Sequence, residues 1–220
     1  MKSLRTFILL SSLLCCNLLI KAQDLSFKVT IITADTVQPI IMKVQVSGSR
    51  MLMEPLNMGT PGSMKIMVDN AQNKQYMLMN MNGQKMAMPV DMKSLEKAPE
   101  AYSEPKLTIT QETKVINNHK CTKVLTESET QKGIFWVSPD VGMDYAEFYK
   151  ILSAWKSQNN MVRIPELKSV KGFPIEIVST DKKKNETTTI KISDISHVKV
   201  DPKLFSMDGY QMMDPPKDTH

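Results

Sequence analysis

The chain has 220 residues, with 28 Lys and Arg against 23 Asp and Glu, 41% apolar residues and 3 cysteines. That balance suits a sizeable hydrophobic core. It excludes a disulfide-stapled miniprotein, a disordered polyelectrolyte and a strongly basic nucleic-acid binder.

The first residues have the pattern of an export signal. Met1-Lys2-Ser3-Leu4-Arg5 is a short basic start, Phe7 to Ile20 is a mostly apolar run, and Lys21-Ala22-Gln23 leads into polar Asp24. The apolar run is too short and too early for a transmembrane anchor, so residues 1–22 are expected to be removed, with cleavage near Ala22. Cys15 and Cys16 raise the alternative of lipoprotein processing. Leu14 stands where a lipobox needs a small residue, so acylation at either cysteine is not expected. Without Lys2, Arg5 and Lys21 the remainder carries 25 basic and 23 acidic residues, a net charge near +2, and no nucleic-acid partner is expected. One cysteine, Cys121, is left, so a core and not a disulfide must hold the fold. No second membrane-length segment follows, which makes the expected product periplasmic or extracellular.

Beyond the signal, apolar and polar residues alternate in Phe27-Lys28-Val29-Thr30-Ile31 and in Met42-Lys43-Val44-Gln45-Val46, the pattern of strands with one packed face. Further strands are predicted over residues 63–68, 74–81, 85–88, 107–116, 119–127, 134–137, 173–179 and 187–193. Asn82-Gly83 between two alternating runs predicts a two-residue hairpin. Residues 69–73, Asn117-Asn118 and residues 181–185 are turn signals of the same kind, and the last absorbs the basic run Lys182-Lys183-Lys184 as a solvated tip. Connections this short imply an antiparallel meander. Asp91 to Ala98 predicts a short helix closed by Pro99. Asp144 to Ser157 predicts the main helix, because Tyr145, Phe148, Tyr149, Leu152 and Trp155 recur at three- and four-residue spacing, with Asn159-Asn160 as its stop. With no repeat and no long linker, residues 23–214 are expected to form one β-rich domain and residues 215–220 a tail.

Several stretches of the second half carry a family likeness: "INNHKCTKV" (Ile116 to Val124), "GIFWVSPDVG" (Gly133 to Gly142), "GFPIEI" (Gly172 to Ile177) and "DPKLFSMDGYQMMD" (Asp201 to Asp214). In this order they resemble an uncharacterised family of secreted bacterial proteins, of the kind found in Bacteroidetes, that carry a domain of unknown function. That family is in turn similar to the periplasmic lipoprotein carriers. The resemblance implies a strongly curved antiparallel sheet, an incomplete barrel, with a helix packed in its mouth. In that pattern a Gly-x-Pro strand opens the last hairpin and a Leu-Phe…Gly-Tyr element closes the domain. No functional residues come with the likeness. The lipid-handling arginine of the carriers has no assignable counterpart, since Arg50 and Arg163 alone remain after the signal.

Of 18 methionines, 12 lie between Met42 and Met92. Three explanations stand at this stage: a pliable apolar lining, plain core packing, or copper(I) ligation through Met77, Met79 and Met81 on one strand face. The first has as its lining Met77, Met79, Met81, Met86 and Met88, joined by Phe148, Leu152 and Trp155 from the helix, which would plug the hollow and move aside for a ligand. His119 and Cys121, two apart on a strand, are too few for a zinc site, and a buried free thiol is expected instead. No metal and no other cofactor is assigned. No Gly-x-Ser-x-Gly, His-Glu-x-x-His or phosphate-cradling glycine loop is present, and no catalytic residue is expected. The expected function is a non-enzymatic exported binding protein that shelters a lipid, an acylated protein or another apolar group. The alternative is an envelope scaffold with a closed core whose partner is a protein.

Overall fold

The alternation of the first strand translates directly into burial. In β1 (Leu25–Ile32) the side chains of Leu25, Phe27, Val29 and Ile31 are buried, while Lys28 and Thr30 are half-exposed. The computed structural model describes residues 24–34, 37–57, 63–90, 105–156, 167 and 170–214, with helix side chains as far as Lys150. Within them follow β2 (Ile40–Ser47), β3 (Arg50–Pro55), β4 (Ser63–Asp69), β5 (Lys74–Met81), β6 (Gln84–Val90), β7 (Lys106–Ile116), β8 (His119–Glu127) and β9 (Gln131–Ser138). Helix α1 (Tyr145–Lys156), β10 (Phe173–Asp181), β11 (Glu186–Ser196), a 3₁₀ turn (Pro202–Phe205) and β12 (Gln211–Met212) complete the order. The predicted helix at Asp91–Ala98, the signal segment with Cys15 and Cys16, the stop at Asn159-Asn160 and the tail at 215–220 lie outside the described residues.

The protein is mainly β with one main helix. Its strands form one large, open, curved sheet in the order β12-β6-β5-β4-β3-β2-β1-β11-β10-β9-β8-β7. Two hairpin runs, β1 to β6 and β7 to β11, are joined where β1 pairs with β11. Pairing is antiparallel except between β12 and β6, which run parallel. The tight turns use asparagine where the backbone needs positive φ: Asn82 (52°) with Gly83 (85°), and Asn117 (50°) with Asn118 (66°), the signature of type I′ hairpins. Asp69 and Asp181 each accept two backbone N–H bonds from the following turn, as Asx turns do.

Two strands were not visible in the alternation. β12 is only two residues long. β3 reads Arg-Met-Leu-Met-Glu-Pro, and Met51, Leu52 and Met53 are all buried. A strand covered on both sides has no wet face to mark with polar residues, so its period-two signal vanishes.

One face of the sheet, here the inner face, carries Phe27, Val29, Val44, Ile177 and Phe135 and is closed by α1. Phe148 of the helix packs against Phe27 at 6.4 Å and Phe173 at 5.2 Å between ring centroids, and Tyr145 against Phe135 at 5.8 Å. The helix start is tied down as well. The Asp144 N–H donates to Glu147 Oε2 at 3.2 Å, half of a capping box, while Asp144 Oδ1 accepts the Gly172 N–H at 2.9 Å and so links the helix to β10. On the outer face Leu52, Met67, Leu78 and Ala87 form a second, smaller core under Val200 and Phe205. Arg50 stacks over the Phe205 ring at 5.0 Å, and Asp24 Oδ2 holds the Val200 N–H at 2.8 Å.

Candidate functional site

Residues directly opposite in an antiparallel pair share a face, so the register can be followed across the sheet. Phe27 faces Val44, Val44 faces Met53, Met53 faces Ile66, Ile66 faces Met77, and Met77 faces Met88. The first four are 0–1% exposed, whereas Met77 and Met88 are only half-buried. The neighbouring row runs Met64, Met79, Met86, again opposite one another and again half-buried. Five thioethers therefore pave the inner face over β4, β5 and β6, beyond the part that α1 closes.

The methionine excess thus divides in two. Met42, Met51, Met53 and Met67 are ordinary core members, at most 4% exposed. Met64, Met77, Met79, Met86 and Met88 are not. The residues interleaved with the latter set, Tyr76, Leu78 and Ala87, point to the outer face and pack in the core under the 3₁₀ turn.

Of the expected lining residues, the fold brings Met77, Met79, Met86 and Met88 together. Met81 shares their face but stands at the hairpin end, opposite Gln84 and 47% exposed. Phe148 is 0% exposed and belongs to the closed core, because a helix stripe that packs on a sheet is filled by sheet side chains. Leu152 and Trp155 lie on α1, their side chains outside the described residues.

A cavity of about 400 Å³ lies elsewhere, on the outer face at the ends of β7 to β10. Leu125, Ile134 and Val178 line it with Lys106, Glu127 and Lys132, and none of the expected lining residues does.

A polar cluster sits where β8 starts and β9 ends. His119 Nδ1 is 2.8 Å from Asp140 Oδ1, and the Ser138 hydroxyl donates to the same carboxylate oxygen. The hydroxyl bonds the carboxylate and not the imidazole, so the arrangement does not activate a serine nucleophile. The sequence signal for it was the Ser-Pro-Asp turn at 138–140. Cys121 nearby is fully buried, its thiol donates to the His119 carbonyl at 3.4 Å, and burial pushes its pKa up, which makes it an inert thiol.

The Ser138 hydroxyl and then His119 hold the Asp140 carboxyl below its ordinary value of 3.8. A carboxyl depressed in the folded state contributes stability in full above that value and loses it as pH falls through the folded pKa. The advantage of the wild type over Asp140→Asn in urea midpoint is therefore expected to shrink between about pH 5 and pH 2. A gap that is flat across this window would refute the assignment.

Among the described residues no helix is long and apolar enough to cross a membrane. Residues 25–209 match the family model described as Domain of unknown function (DUF4412). No curated protein matches the chain. Among solved structures it is similar to an uncharacterized conserved protein from Thermus thermophilus, with 9% identity and a TM-score of 0.50 over 88% of this chain and 91% of that one. It is also similar to PNGF-II, with 10% identity and a TM-score of 0.47 over 87% of this chain, and it spans 31% of the PNGF-II chain. A putative outer membrane lipoprotein-sorting protein domain from Vibrio parahaemolyticus is similar at 7% identity and a TM-score of 0.40, over 85% of this chain and 91% of that one. At such identities the likeness concerns the fold alone.

Proposed function

The chain belongs to the DUF4412 family, and we propose that it is a non-enzymatic binding protein of the bacterial envelope, exported by its N-terminal segment, that shelters a lipid or other apolar group. The wall is formed by Met77, Met79, Met86 and Met88 with Met64 beside them and Met81 at the rim. Phe148 anchors the helix and does not line the wall. One observation carries this reading: along a single row of facing residues the inner face passes from closed core at Ile66 to half-exposed thioethers at Met77 and Met88. Methionine has flexible torsions and a polarizable sulfur, which suit a surface that accepts varied apolar partners. Each buried methylene contributes about 0.8 kcal/mol, so an acyl chain of roughly ten carbons gains enough gross energy to bind.

Titration of the purified protein with a fluorescent fatty-acid probe is expected to saturate, and organic extraction to release a co-purifying lipid. Charged substitutions Met79→Lys and Met88→Lys are expected to abolish probe binding. No saturation and no extractable lipid would remove this reading.

A second reading, an envelope interaction protein, is favoured by the edge strand β7. This strand is 11 residues long, terminates the sheet, and leaves Ile109 63% and Val115 71% exposed. Exposed apolar residues on a long edge invite strand addition by another chain. Stoichiometric capture of a protein, lost in Val115→Lys and without lipid, is the outcome that selects it.

A further inference from the structure

We infer that the thioether array of β5 and β6 is a binding site for copper(I), formed by Met77, Met79, Met86 and Met88. The inference uses the same face as the proposed lining but does not depend on lipid binding. Soft thioether sulfur prefers copper(I) over the hard divalent cations, which take oxygen ligands.

The register supplies the geometry. Met77 stands opposite Met88, and Met79 opposite Met86, two positions along. Facing Cβ atoms in such pairs are about 4.5–5.5 Å apart, and successive same-face residues on a strand about 6.6–6.8 Å apart. Four sulfurs on three-torsion arms therefore start from the corners of a small rectangle and can converge above its centre.

Two features separate this array from methionine used as filler. The apolar residues that alternate with it, Tyr76, Leu78 and Ala87, serve the core of the opposite face, whereas the four thioethers keep part of their surface open to solvent. Moreover, the inner face of these two strands holds Gln75, Met77, Met79, Met81, Gln84, Met86, Met88 and Val90 and no charged side chain. An uncharged, sulfur-rich surface suits a soft monovalent ion and lacks the carboxylates on which Mg²⁺ and Ca²⁺ sites rely. Thioethers carry no proton to displace, unlike thiol or imidazole ligands, so binding should not weaken as the pH falls.

The test is anaerobic titration of the purified protein with copper(I) against a chromophoric copper(I) chelator. One ion per chain is expected, with affinity unchanged between pH 7 and pH 5 and with sulfur-only ligation by X-ray absorption. The variant Met77→Leu/Met79→Leu/Met86→Leu/Met88→Leu should lose more than the roughly 100-fold that removal of a supporting group costs a metal site. Leucine is close in volume to methionine and keeps the face apolar, so this variant removes the sulfur ligands with little change in packing. Copper(I) and the fatty-acid probe are each titrated into the wild type, so the two readings of the face can fail separately. Cys121→Ser should bind like the wild type. No copper(I) bound by the wild type, full affinity in the leucine variant, loss in Cys121→Ser, or nitrogen and oxygen ligands in the absorption spectrum would each overturn the site. If the fourfold variant does not fold, Met79→Leu/Met86→Leu and the response of methionine methyl resonances to copper(I) in the wild type decide the same question.

Discussion

Replacing Phe148 with alanine is expected to destabilise the protein by about 4 kcal/mol, the middle of the range for a buried aromatic truncated to alanine. Phe148 is 0% exposed and its ring meets two others, Phe27 at 6.4 Å and Phe173 at 5.2 Å. These two belong to strands that do not neighbour each other in the sheet, since β11 lies between β1 and β10. The ring is thus the point where the helix holds both hairpin runs, and its loss leaves a cavity that none of the three elements can fill by a local shift. For a chain of this length the change corresponds to a drop of about 8–16 °C in Tm. Urea unfolding should show the lower midpoint with its slope preserved. A loss under about 1 kcal/mol would mean that the helix does not close the core as described.

Gly172→Ala is the second large effect, expected at about 3 kcal/mol from a strained backbone and a steric clash together. Gly172 has φ of +98°, which L side chains rarely adopt, and a Cβ there would meet the Ser138 carbonyl oxygen at 2.7 Å and its carbon at 3.1 Å. The obstacle is backbone on a paired strand, so no rotamer change relieves it. The same residue donates its N–H to Asp144 at the start of α1, so a displaced Gly172 also loosens the helix. Thermal unfolding is the check. By comparison Gly83, at +85° in an open turn with nothing within 4 Å of a Cβ, should lose only the conformational part when changed to alanine. Equal losses at the two positions would show that the contact with Ser138 is not what makes Gly172 necessary.

Several elements were legible in the residues alone. Alternation located ten of the strands, and the Asn82-Gly83 and Asn117-Asn118 pairs located two hairpins, because both signals arise within a few consecutive residues. The aromatic spacing between Tyr145 and Trp155 located α1 for the same reason. What failed to show was set at a distance. β3 lost its alternation because its outer face is covered by a segment some 150 residues later in the chain, around Phe205. Phe148 was expected at a ligand surface and is instead packed by Phe27 and Phe173, partners that sequence periodicity does not specify.

The methionines show the same division. Composition and spacing were enough to establish that β5 and β6 each present thioethers on one face, since side chains on a strand alternate with a period of two. Which face that would be, and whether it would be filled, depended on five successive strand registers from β1 to β6 and on where α1 and the 3₁₀ turn settled. Local periodicity is written into neighbouring residues. Coverage of a face is decided by elements far away in the chain, and only the assembled sheet shows Met53 sealed at 0% while Met77, in the same row, stays half-open.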